Sequence, residues 1–117
     1  MSRINVYEIT GDKAITLESG IKLRDKVLNV IKTQESCVTL DFMDVKQFTT
    51  MFFNASIGYL VSYLGPDKVV NQINIENLSI LGEKSYQRSY DNAKTKYYNN
   101  QDLTNKIDEI INNTDEI

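Results

Sequence analysis

The 117 residues contain no histidine and no tryptophan, one cysteine and one proline. Each shortage removes a class of chemistry. Without histidine there is no Ser-His-Asp triad, no Cys-His dyad and no histidine-ligated zinc. A lone cysteine, Cys37, cannot close an internal disulfide. It stands at the head of an expected core strand and reads as a small buried apolar residue, with no base to activate its thiol. No apolar run approaches the roughly 20 residues of a membrane span. The opening MSRINVYEIT has no signal-peptide core, so the expectation is a cytoplasmic protein with no membrane association. Positive charge is not in excess either. The formal net charge is −3, which argues against tracking a nucleic-acid backbone. The phosphate-binding patterns GxxxxGK(S/T) and GxGxxG are missing, and no residue cluster calls for a metal or cofactor. Asp41 and Asp44 lie close together, yet the second acidic pair and late lysine of a phosphoaspartate site are not evident. Asp41 therefore reads as a group that steadies the loop after its strand. No catalytic residue is assigned, and the expectation is a non-enzymatic protein.

What remains is enough for one folded domain. Hydrophobic residues make up 41% of the chain and charged residues 25%, which supports a real core with a solvated surface. The most informative stretch is 37–64. Val38, Leu40 and Phe42 alternate as a strand does. A polar turn follows, then Phe53, Ile57, Leu60, Val61 and Leu64 recur at helical spacing. The change from period 2 to period 3.6 marks a strand–loop–helix unit. Gly65 and Pro66 end that helix. Upstream, Ile4 and Val6 suggest a first strand, with Gly11-Asp12 turning it into a hairpin partner over 14–17. Leu23, Val27, Val30 and Ile31 mark a surface helix over 21–34. Downstream, a strand is expected over 73–75. A helix over 83–99 follows, whose Tyr86, Tyr90, Ala93 and Tyr97 face the core. Asn99-Asn100 breaks the chain before a last helix, about 102–112, with Leu103, Ile107, Ile110 and Ile111 on one side. Residues 1–112 form a single domain and 113–117 a frayed tail. Strands alternating with helices imply an α/β fold.

The central helix has a second stripe, Phe52, Ser56, Tyr59 and Tyr63. It is either covered by a neighbouring helix or left for a partner. Thr49 and Thr50 stand at the helix entrance, where a hydroxyl caps free N–H groups. A phosphate added there would also meet those donors.

Asp41-Phe42, Val45, Phe52-Phe53-Asn54, Ile57-Gly58 and Arg24 together resemble a family of small bacterial STAS-like domains of unknown function, over the chain to about Tyr98. The resemblance implies a small mixed sheet of about four strands covered by helices, with the C-terminal helix as an addition. More distantly, the unit is similar to anti-sigma-factor antagonists. There a serine at the equivalent helix start is phosphorylated by a histidine-kinase-type ATPase that binds the loop and helix. Carried over by position, the phosphoacceptor is Thr50, with Thr49 beside it. Partner-binding residues are then Asp44, Lys46, Gln47, Phe52, Ser56, Tyr59 and Tyr63 within 43–63. The antagonists' Asp-Ser-Ser-Gly turn reads Thr49-Thr50-Met51-Phe52 here. Two other readings stand beside this one. One is a structural subunit of a bacterial or phage conflict system that self-associates, as a homodimer or larger assembly, through the Tyr and Ile stripes. The other is a small-ligand or nucleotide sensor at the Thr49–Met51 helix entrance.

Overall fold

Three consecutive buried residues, Val38, Thr39 and Leu40, make β3 (Val38–Asp41) the centre of the main sheet. Cover on both faces is what a parallel strand between helices requires. The computed structural model describes residues 2–34 and 37–115, with side chains over 2–33 and 37–100. β1 (Ser2–Asn5) runs parallel to one edge of β3, with Ile4 opposite Leu40. β5 (Ile73–Glu76) runs parallel to the other, with Ile75 opposite Leu40. A separate parallel pair joins β2 (Lys13–Ala14) to β4 (Gln47–Phe48).

The fold is thus α/β as expected, but the strands form two small parallel sheets in place of one mixed sheet of about four strands. The expected hairpin does not form. After β1 the chain makes a single helical turn, α1 (Tyr7–Thr10), with Asn5 Oδ1 accepting from the Tyr7 N–H at 3.1 Å. Gly11 ends it at φ 69°. Tyr7 and Glu8 are exposed while Val6 and Ile9 turn into the core, a helical rather than an alternating pattern, whereas the buried row of β3 offers β1 a partner.

α2 (Leu17–Gln34) starts four residues before the apolar pattern does, because Thr16 Oγ1 accepts from the Ser19 N–H at 3.1 Å and caps it. The central helix comprises α3 (Thr50–Phe53), a π-turn over Asn54–Gly58 and α4 (Tyr59–Leu64). Gly65, at φ 94°, ends it, and Pro66 opens α5 (Pro66–Gln72) in the first turn, where its missing N–H is not needed. α6 (Ile80–Asp115) is one helix. The expected break at Asn99-Asn100 is absent, since asparagine in a helix costs well under ~1 kcal/mol and lacks the disruption of Gly or Pro. The Leu103, Ile107, Ile110 and Ile111 side, and the tail expected over 113–117, lie outside the described side chains.

The core is aromatic where the central unit meets α6. Phe48 stacks on Phe53 at 5.7 Å, and Tyr86 meets Phe53 edge-on at 5.8 Å. Tyr86 and Tyr90 pack on the core, Ala93 is buried and Tyr97 half-buried, as the tyrosine spacing predicts. Burial, helped by Tyr90, pushes the Tyr86 hydroxyl pKa up to about 12. Cys37 departs from expectation. It is exposed, one residue before the first buried position, with its Sγ 3.5 Å from the Asn71 carbonyl oxygen.

α2 crosses the central helix at Gly20. A Cβ there would lie 2.6 Å from the Phe52 carbonyl oxygen and 2.7 Å from Ala55 Cβ. The first of these is backbone and cannot swing away. At the carboxyl end of the sheet, Asp41 accepts from Asn77 Nδ2 at 2.8 Å and from the Met43 N–H at 3.0 Å. Arg3 bridges Asp41 and Glu76 at 2.9 and 2.7 Å. These bonds, Asn77 foremost, hold the Asp41 carboxyl below the usual carboxylate range. Asp41 steadies the loop after β3, as its position predicts.

Two outcomes are expected. Gly20→Ala lowers the urea midpoint, corresponding to about 1–3 kcal/mol of overpacking, with the slope unchanged. For Asp41, a folded pKa below the unfolded one means full stabilisation above the unfolded value and loss as pH falls through the folded one. Asp41→Asn therefore lowers the urea midpoint at pH 7 and flattens the loss of stability below about pH 4.

Candidate functional site

Thr49 is the joint between the small sheet and the central helix. Its extended backbone (φ −130°, ψ 156°) is that of an N-cap, and its Oγ1 accepts from the Phe52 N–H at 3.2 Å. The same hydroxyl donates to the Ile15 carbonyl oxygen at 2.6 Å, and the Thr49 N–H donates to the Ala14 carbonyl oxygen at 3.2 Å. One residue thus ties the end of β2 to the helix start. Thr50 is the first helical residue, half-buried, and takes no part in the cap.

Around Thr49 the chain forms an open cleft of about 540 Å³. Lys46, Gln47 and Thr49 line one side, and Leu81, Lys84 and Arg88 of α6 line the other. Lys46, Lys84 and Arg88 are all exposed, and none forms an ion pair among the described residues. Three free cations therefore converge in a chain whose net charge is −3. Leu81 is 73% exposed and adds an apolar edge. The α6 contribution was not found from the sequence. Its signal was present: positions 81, 84, 85 and 88 recur at helical spacing, opposite the tyrosine face that dominates that helix.

The remaining expected residues are not gathered here. Asp44 is exposed at φ 69° in the loop after β3 and does not line the cleft. Phe52 and Ser56 are fully buried. α2 covers them at the Gly20 crossing, and Ser56 Oγ donates to the Phe52 carbonyl oxygen at 2.9 Å. They cannot touch a partner. Tyr59 and Tyr63 are 41% and 54% exposed and stack on each other at 6.0 Å. The Arg24 guanidinium lies 4.4 Å over Tyr59, and Lys32 Nζ lies 5.2 Å over Tyr63.

The split of this stripe has a physical cause. In a regular helix, offsets 0, 4, 7 and 11 share a face. The π-turn over Asn54–Gly58 closes i→i+5 bonds and widens one turn. Everything beyond it is rotated, so Tyr59 and Tyr63 turn outward while Phe52 and Ser56 stay in. With a rise of about 1.5 Å per residue, Tyr59 stands roughly 15 Å along the helix from Thr49. The tyrosine pair is thus a separate patch from the cleft. Of the two stripes considered for self-association, the tyrosine face of α6 is largely used inside the chain, and the isoleucine face lies outside the described side chains.

A family model described as a STAS-like domain of unknown function matches residues 19–80. The match spans α2, β3, β4, the central helix, α5 and β5, a shorter reach than the resemblance to about Tyr98. It includes Lys46, Gln47 and Thr49 but stops before Leu81, Lys84 and Arg88. No curated protein and no solved structure matches the chain.

Thr49→Ala is expected to lower stability by about 1 kcal/mol through loss of the cap, and further through the Ile15 link. Thr49→Ser retains most of it. Thr50→Ala stays within roughly 0.5 kcal/mol of the parent. Urea denaturation of the three variants checks the order.

Proposed function

We propose that this chain, which belongs to the STAS-like domain family of unknown function, is a non-enzymatic docking module that binds an acidic surface of a protein partner in the cleft at Thr49. The observation that carries the reading is the convergence of Lys46, Lys84 and Arg88, unpaired among the described residues, on one side of an acidic chain. Such a local excess steers an oppositely charged surface and sets its orientation. Leu81 supplies exposed apolar area beside the charges. By resemblance to anti-sigma-factor antagonists, the partner class is a histidine-kinase-type ATPase, and the role is regulatory.

Phosphorylation enters as the switch of that docking. Thr49 Oγ1 is engaged on both sides, so modifying it disrupts two hydrogen bonds. Thr50 is free of the cap and is the better acceptor of the two. A phosphate there adds nearly two negative charges beside the basic cleft. It would occupy the cations an acidic partner needs and so weaken docking.

The test uses the full chain and a histidine-kinase-type ATPase from the same organism. Co-elution is expected, with Lys46→Glu/Arg88→Glu weakening binding at least tenfold, equivalent to about 1.4 kcal/mol. Incubation with ATP and magnesium followed by intact mass reads phosphate transfer, which Thr50→Val should abolish. No co-elution and no added phosphate removes this mechanism. Binding of ATP to the isolated chain at the cleft would favour the sensor reading instead.

A further inference from the structure

A second cavity, of about 440 Å³, lies away from the Thr49 cleft, between α2, the π-turn and α6. Its volume is within the range of small-molecule sites. Arg24 of α2 and Lys96 of α6 stand in its walls, with Asn54 and Asn92 as further polar groups. Among the described residues no carboxylate lines it, although the chain as a whole is acidic. Leu17 and Ile21 supply an apolar portion.

A further observation concerns Ser89, in the same wall. It is 1% exposed, and its Oγ has no hydrogen-bond partner among the described residues. A buried helical serine usually satisfies itself on the carbonyl one turn back. A hydroxyl left bare inside the protein is destabilising and calls for an explanation. The wall opposite is the π-turn, a departure from helical geometry that is frequent at functional sites.

We propose that this cavity binds a small organic anion, its acid group held between Arg24 and Lys96 and one of its oxygens accepting from Ser89 Oγ–H. Arg24 has donors left for it. In the free protein its Nε and Nη2 lie 2.9 Å from Asp25 Oδ1, an exposed partner that an anion can displace or share. Lys96 has no ion pair among the described residues. Guanidinium and ammonium groups on facing walls favour phosphate and carboxylate alike. The apolar portion favours an organic body over a bare inorganic ion.

Amide-resolved NMR titration of the full chain with phenyl phosphate, benzoate and inorganic phosphate tests this. Shifts at Gly58, Ser89, Asn92 and Lys96 are expected with an organic acid, and the tighter of the two identifies the acid group. Lys96→Ala should raise the dissociation constant about tenfold without altering the fold. Ser89→Ala separates a site from a structural hydroxyl. It is expected to raise the melting temperature of the free protein, by removing the bare hydroxyl, while weakening the organic acid. The proposal is overturned if no probe shifts these amides or if shifts are confined to Lys46, Thr49 and Arg88. It is equally overturned if inorganic phosphate binds as well as the organic acids, or if Ser89→Ala lowers the melting temperature. None of these results depends on the docking reading, which concerns the other cleft.

Discussion

The contact between α2 and the central helix at Gly20 is the constraint from which the rest follows. With no side chain at that position, two backbones approach within a distance no other residue permits. That approach seals Phe52 and Ser56. It also brings Arg24 and Lys32 over the rings of Tyr59 and Tyr63. Residues that a partner could otherwise have used become part of the core. Binding surface is left at the helix entrance, which α2 does not line, and in the groove where α2, the π-turn and α6 meet.

Charge follows the same partition. The chain is acidic overall, yet both cavities gather cations, Lys46, Lys84 and Arg88 in one and Arg24 and Lys96 in the other. The acidic groups at the end of the main sheet are neutralised locally. Arg3 sits between Asp41 and Glu76, and Asn77 and Met43 complete the shell of Asp41. That carboxylate is therefore a structural fastening for the loop after β3. Exposed pairs of this kind are individually weak, but here three elements, β1, β3 and β5, meet in one network. α6 contributes to both cavities, with Lys84 and Arg88 in one and Lys96 in the other.

Much of the fold is legible in the sequence. The period change over 37–64 places β3 and the central helix, Gly65-Pro66 ends the helix, and the tyrosine spacing of α6 identifies its inner face. Each rests on local rules that neighbours do not override. The failures are non-local or depend on irregular geometry. β1 pairs across the sheet with β3 because of what β3 buries, not because of the turn signal at Gly11-Asp12. Phe52 and Ser56 share a period with Tyr59 and Tyr63, but the π-turn breaks the phase, and no propensity announces a π-turn. At the site, Lys46, Gln47 and Thr49 were legible because they are adjacent in sequence. Leu81, Lys84 and Arg88 come from a distant helix and needed the tertiary structure to join them.

The π-turn has a consequence for how this helix tolerates changes in length. It holds one residue more than an α-helix needs to span the same distance, and both flanking segments are seated in the core. Deleting a single residue within Asn54–Gly58 would let the segment relax into ordinary helix with Phe53 and Leu60 still in place. The same deletion one turn earlier or later would pull a core side chain out of register. Kin of this chain that differ in length by one residue can therefore carry the gap at this point and keep the same interior.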